Sequence, residues 1–92
     1  MRLLHIDNDE IFSAKIKKIV EDNDVVYISA DSYEKAGEII TEIKVDLVII
    51  TEQMDGVSCK AFIEKLKLEK STLTPVIVIS EDHSDEKKSV YF

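Results

Sequence analysis

The sequence of 92 residues contains few of the residues that cross-link, kink or loosen a chain: one Cys, one Pro, two Gly and no Trp. A single cysteine excludes an internal disulfide, and with only two histidines beside it no zinc-ligand set can be assembled. Because 45% of the residues are hydrophobic and turn-forming residues are scarce, the composition is that of a folded protein rather than a disordered segment. The length predicts a single domain.

Long apolar segments are also absent. No run approaches the about 20 residues that a membrane helix requires. The apolar part of the N-terminal segment is short and stops at Asp7, which is unlike a signal peptide. These absences predict a cytoplasmic domain that does not enter a membrane.

Positive charge is in short supply as well. Lys and Arg total 12 against 19 Asp and Glu, so the formal net charge is -7. Binding to a nucleic-acid backbone requires a basic face, and this balance predicts no nucleic-acid binding by the domain. An acidic surface favours cations or basic patches on a partner instead.

Four short apolar runs alternate with helical patterns along the chain. The predicted strands are residues 3–6, 25–28, 46–51 and 76–79. Helical stripes follow them, with Asp31, Ser58 and Ser84 as predicted N-caps of the second, third and fourth helices. This order predicts an α/β fold of βαβ units, an open parallel sheet with helices on both faces. Gly37 lies inside the second helical pattern, where it indicates a tight packing contact.

The carboxyl ends of the strands are where such sheets place their functional residues. Asp7, Asn8 and Asp9 follow the first strand, Thr51 ends the third, and Ser80 ends the fourth. Several acidic residues are expected to gather at this edge: Asp7, Asp9, Glu10, Glu52, Asp55, Glu81 and Asp82.

Three features in this order resemble the receiver domain of two-component response regulators. They are the acidic cluster from Asp7, the strand 46–51 leading to a loop with Met54 and Gly56, and the strand from Pro75 that ends at Ser80. The resemblance covers essentially the whole chain. It implies a flavodoxin-like sheet with strand order 2-1-3-4. It also implies a role in phosphorelay signal transduction, in which Mg²⁺-binding carboxylates flank an aspartate that accepts a phosphoryl group from a phosphohistidine.

Carried over residue by residue, the resemblance places the phosphoacceptor position at Thr51, the switch hydroxyl at Ser80 and the metal pair at Asp7 and Asn8. Thr51 is not an acid, and a hydroxyl is a weak nucleophile that needs a base. Asn8 is an amide where the family has an acid, so Mg²⁺ binding is predicted to be weakened. The usual aspartyl phosphorylation is therefore predicted to be absent, and no catalytic residue is assigned.

The family continues through a fifth strand and a fifth helix, which the sequence of residues 1–92 does not reach. The resemblance therefore implies a receiver-like domain that is incomplete at its C-terminus. Without a neighbour, the strand 76–79 is predicted to be an apolar edge that recruits another chain, for instance in a homodimer.

The leading functional hypothesis is an atypical receiver module, not an enzyme, that acts by protein contact. Its implied partners are a histidine kinase, an output domain or another receiver. One alternative is a phosphoaccepting receiver that uses a displaced acid such as Asp55 or Asp7. Another is a small-ligand or nucleotide-binding flavodoxin-like domain, although no Gly-rich phosphate loop follows the first strand.

Overall fold

The alternation of strands and helices is present in the computed structural model, which describes residues 1–54, 56–70, 74–82 and 87–91. For residues 69–70, 81–82 and 87–91 it describes the backbone alone. The elements, in chain order, are β1 (Arg2–Ile6), α1 (Glu10–Glu21), β2 (Val26–Ala30), α2 (Tyr33–Glu42), β3 (Leu47–Thr51), β4 (Gln53–Met54), β5 (Val57–Ser58), α3 (Lys60–Lys70), β6 (Val76–Asp82) and β7 (Lys87–Tyr91). In this part of the chain no helix has the length and apolar character needed to cross a bilayer.

The main sheet has the order β2-β1-β3-β6-β7. Its first four strands run parallel, which confirms the predicted order 2-1-3-4. Ile6 lies opposite Ile50 and Thr51 opposite Ile79, so the carboxyl ends of β1, β3 and β6 lie at one edge. The apolar character of neighbouring residues in β1 and β3 reflects a sheet that is covered on both faces.

One face of the sheet packs on α2 and α3. Its buried core contains alternate residues of the central strands, namely Leu4, Ile6, Val48, Ile50 and Val78, together with Ala36 of α2 and Leu66 of α3. Side chains alternate along a strand, so His5 points to the opposite face, where it contacts Phe12 of α1. Gly37 makes no tight contact, because a Cβ atom added there would meet nothing within 4 Å. The packing contact predicted at Gly37 is therefore wrong.

The helix N-termini are held by side-chain caps. Asp9 accepts a hydrogen bond from the Phe12 backbone N–H at 3.0 Å. Ser58, the predicted cap of α3, lies one residue before the cap position at Cys59, and its hydroxyl accepts the Lys60 N–H at 3.1 Å. The predicted cap Asp31 is wrong, because Ser32 has the extended backbone of an N-cap and accepts from the N–H of residue 35.

The prediction of a helix that begins near Ser84 is wrong for the residues of this segment that the structure describes. Lys87–Tyr91 form β7, which pairs antiparallel with β6 and places Val90 opposite Ile79. Ser84 itself lies outside the described residues. Of the apolar edge predicted at 76–79, residues 78 and 79 are therefore covered, because they lie opposite Tyr91 and Val90 of β7.

Candidate functional site

The carboxyl ends of β1 and β3 bring Asp7 and Thr51 together. Ile6 pairs with Ile50, so residues 7 and 51 are next in the same register. In neighbouring strands, registered residues point to the same face of the sheet. The predicted juxtaposition of these two residues is thus present, and Glu52 follows them with a half-buried side chain.

Asp7 is buried, with 6% of its surface exposed. Its backbone N–H donates to the Ala30 carbonyl at 3.0 Å, and its Oδ1 accepts the Asp9 N–H at 3.0 Å. Its Oδ2 lies 3.6 Å from Nε2 of His5. One carboxylate oxygen therefore holds the turn into α1, and the other faces a buried imidazole.

His5 is fully buried on β1 and links Asp7 to β2. Its Nδ1 lies 2.8 Å from the Tyr27 hydroxyl, and its ring meets Tyr27 and Phe12 edge to face at 5.9 and 5.8 Å. When Nδ1 accepts the Tyr27 O–H, the ring hydrogen sits on Nε2, which faces Asp7. At 3.6 Å this contact is electrostatic rather than a hydrogen bond. Burial raises the pKa of Tyr27, which keeps the hydroxyl protonated.

This Tyr27–His5–Asp7 chain was not predicted from the sequence. Strand alternation could have indicated the contact of His5 with Asp7, because residues two apart on a strand share a face of the sheet. The role of Tyr27 depends on the pairing of β1 with β2, in which Leu3 lies opposite Tyr27.

Thr51 ends β3 with its hydroxyl turned inward. Its Oγ1 is buried and has no hydrogen-bond partner among the described residues. Its backbone carbonyl, in contrast, accepts the Tyr33 O–H at 2.8 Å. The described part of the chain therefore offers no base that takes the proton of this hydroxyl.

Tyr33, the first residue of α2, holds the loop after β3. Its hydroxyl lies 2.8 Å from the Thr51 carbonyl and 3.3 Å from the carbonyls of Glu52 and Val57. Its ring stacks on Phe62 of α3, with ring centroids 6.1 Å apart. Burial, followed by the negative charges that Cys59, Asp7 and Glu52 can carry, raises the pKa of Tyr33 to about 12.

The raised pKa of Tyr33 predicts a loss of stability at alkaline pH. The folded state keeps the phenol proton above pH 10.0, where an unfolded tyrosine releases it. The stabilisation is therefore complete below about pH 10 and disappears as the pH rises to about 12. We expect the difference in unfolding free energy between the wild type and Tyr33→Phe to shrink across this window in denaturant titrations. A difference that is independent of pH would contradict this role of the hydroxyl.

The remaining predicted site residues are more dispersed. Asn8 is exposed, and Ser80 is half-buried one residue beyond Ile79, the register partner of Thr51. β6 continues to Asp82, so Glu81 and Asp82 lie within the strand and pair with β7, beyond the strand end predicted at residue 79. Asp55 lies outside the described residues.

The described residues at this edge do not form the oxygen-rich site that Mg²⁺ requires. Mg²⁺ demands near-octahedral oxygen ligands and is usually held through carboxylates. Asp7 directs Oδ2 at His5, Asn8 has a neutral amide, and Thr51 has no carboxylate. Among the described residues, no three His, Cys, Asp or Glu side chains are placed to hold a metal ion.

Comparison with known proteins connects this site to one family. Solved structures with the same fold include the chemotaxis response regulator CheY4 of Vibrio cholerae, with a TM-score of 0.81, 15% identity, and coverage of 92% of this chain and 72% of that chain. A two-component response regulator of Clostridium difficile gives a TM-score of 0.81 and 21% identity, covering 92% and 69%. The non-phosphorylated HemR receiver domain of Leptospira biflexa gives 0.79 and 16%, covering 88% and 64%.

The chain thus spans between 64% and 72% of the length of these structures. At these identities the likeness shows the fold alone, and no curated protein matches the chain. The family itself is shown by the sequence, which matches the family model "Response regulator receiver domain" over residues 3–91. The chain belongs to the response regulator receiver domain family.

Proposed function

We propose that this receiver domain acts by protein contact, without aspartyl phosphorylation at the end of β3. Receiver domains are the signalling modules of two-component systems, and they interact with proteins such as kinases and output domains. The observation that carries the proposal is the hydroxyl of Thr51, which is buried and has no hydrogen-bond partner among the described residues. The resemblance to receiver domains assigns Thr51 to the phosphoacceptor position.

The chemistry at Thr51 supports this proposal. Phosphoryl transfer depends on a positioned nucleophile and on neutralisation of the charge of the transferred group. A threonine hydroxyl needs a base to become nucleophilic. The imidazole of His5 is engaged with Tyr27 and faces Asp7. Because the described residues fit Mg²⁺ poorly, the charge of a transferred phosphoryl group would also not be neutralised.

A displaced phosphoacceptor is less well supported. Asp7 is 6% exposed, and its Oδ1 already accepts the Asp9 N–H, so a phosphodonor has poor access to it. Asp55 lies outside the described residues. The proposed partners, in the cytoplasm, are a histidine kinase, an output domain, another receiver or a second copy of the chain in a homodimer.

Intact mass after incubation with acetyl phosphate and Mg²⁺ tests the proposal. We expect no phosphoryl adduct on the wild type. Thr51→Asp, which restores the acid at the same position, is the matched variant. A stoichiometric, hydroxylamine-sensitive adduct on the wild type would sink the proposal. Peptide mass spectrometry of the adduct would then identify the displaced acid, because Asp7→Asn also removes a candidate Mg²⁺ ligand.

A further inference from the structure

A groove runs between α2 and α3, on the face of the sheet opposite α1. Two cavities of about 540 and 290 Å³ share Ile40, Thr41 and Leu66, so they form one continuous depression, here called the α2–α3 groove. It extends along α2 from Tyr33 to Ile43, which is about 15 Å at the helical rise. This length corresponds to about ten residues of a second helix.

The floor of the α2–α3 groove is apolar and open. The stacked rings of Tyr33 and Phe62 form one end, and Ile40 and Leu66 continue it. At Gly37 a Cβ atom would meet nothing within 4 Å, so the backbone of α2 is accessible from the groove. A glycine at such a place allows another backbone to approach closely.

The α2 rim of the groove is acidic. Glu34, Glu38 and Glu42 are exposed, lie one turn apart, and line this wall. Like charges at this spacing repel each other along a helix. Among the described residues, no lysine or arginine forms an ion pair with these three carboxylates. Among the described residues, the lysines that line the groove are Lys65 on the opposite wall and Lys44 just beyond the end of α2, so the carboxylates outnumber the cations.

We propose that the α2–α3 groove binds an amphipathic helix of a partner protein, with lysines or arginines along the flank that faces α2. This inference rests on the proposed function, since it names the kind of partner that the protein contact involves. The elongated apolar floor fits the apolar stripe of a helix, which is a common mode of peptide recognition. A row of carboxylates one turn apart complements basic residues at the same spacing.

The same charges disfavour other occupants. A nucleotide or an anionic membrane surface would meet the carboxylates of Glu34, Glu38 and Glu42. A second copy of this chain carries a formal net charge of -7, which opposes association through an acidic rim.

A pair of designed peptides tests the proposal on the full chain. The first is a blocked 14-residue helix with Leu at i, i+3, i+4 and i+7 and Lys along one flank, and the second has Glu in place of each Lys. In fluorescence anisotropy we expect the Lys peptide to bind about tenfold more tightly than the Glu peptide, because only the Lys peptide forms ion pairs with the carboxylates of the rim. Added salt should reduce this preference.

Variants of the groove locate the binding. Glu38→Lys should reduce the preference for the Lys peptide, and Gly37→Leu should abolish binding by filling the groove. Glu64→Lys makes the same change of charge on an exposed residue of α3 outside the groove, and should leave binding unchanged. If Gly37→Leu fails to fold, Gly37→Ala together with the backbone amide shifts of Gly37, Ala61 and Leu66 locates the peptide.

Equal affinity for the two peptides, no binding of either, or amide shifts confined to other surfaces would overturn the proposal. So would a nucleotide or flavin that stabilises the protein and shifts these amides, or a wild-type dimer in light scattering that Glu38→Lys dissociates. A phosphoryl adduct with acetyl phosphate would overturn the proposed function while leaving the peptide result intact. Failure of the peptides alone would leave the result at Thr51 intact, so the two failures are distinguishable.

Discussion

Thr51→Asp is expected to destabilise the metal-free protein by about 1 to 3 kcal/mol and to make it responsive to Mg²⁺. The Thr51 hydroxyl is buried, and the residue is next in register to the buried carboxylate of Asp7. A second carboxylate there is desolvated and repelled by the first, so the folded state loses free energy.

Mg²⁺ should reverse this loss. Two carboxylates and the Asn8 amide carbonyl would supply oxygen ligands of the kind that Mg²⁺ prefers. Binding to the folded state alone adds about 2.7 kcal/mol when the ion is at one hundred times its dissociation constant. Thermal unfolding with and without Mg²⁺ measures the effect.

The matched control is Thr51→Asn, which has the shape of aspartate without the charge. It should be destabilised less than Thr51→Asp and should not respond to Mg²⁺. If the melting temperature of the wild type rises with Mg²⁺ as much as that of Thr51→Asp, then Asp7 and Asn8 already form a competent site, and the poor fit inferred from the structure is wrong.

His5→Leu is expected to cost about 2 to 4 kcal/mol of unfolding free energy. The fully buried imidazole contacts the Tyr27 hydroxyl at 2.8 Å and the Asp7 carboxylate at 3.6 Å. Leucine retains most of the apolar contact but leaves both polar groups without the imidazole. Loss of a partner from a buried polar or charged group costs more than the interaction itself contributes.

Tyr27→Phe separates the two contacts, since it removes the hydroxyl and leaves His5 facing Asp7. It should cost about 1 kcal/mol. The double variant should lose less unfolding free energy than the sum of the two single-variant losses, because the imidazole and the hydroxyl are each other's partner. Denaturant unfolding of the four proteins gives this coupling. Additive losses, or a His5→Leu variant as stable as the wild type, would contradict a linked Tyr27–His5–Asp7 chain.

The helix predicted for the C-terminal segment was wrong because strand pairing was not visible in the local pattern. Polar residues and a capping serine near residue 84 have the local pattern of a helix start, whereas residues 87–91 pair with β6. Residues 87–91 gain backbone hydrogen bonds by pairing with the edge strand β6. This pairing outweighs the local helical pattern of the segment. The error in the predicted N-cap of α2 is smaller. Asp31 and Ser32 are both good capping residues, and only the backbone path selects Ser32.

The sequence by itself determined the α/β class, the parallel sheet and the gathering of polar residues such as Asp7 and Thr51 at its carboxyl edge. These follow from local patterns, because apolar runs and helical stripes are visible in neighbouring residues and parallel strands end at the same edge. The strand order 2-1-3-4, which makes Asp7 and Thr51 neighbours, was implied by the resemblance to receiver domains. The sequence also determined that the third strand ends in a hydroxyl instead of an acid.

Only the tertiary structure decided what surrounds these residues. The contact of His5 with Tyr27 depends on the register of β1 against β2, and the Tyr33 hydroxyl reaches the carbonyls of three residues far from it in sequence. The α2–α3 groove depends on the spacing of two helices that the chain connects through β3 and a hairpin. Such contacts join residues that are distant along the chain, so they are set by packing and pairing instead of by local propensity.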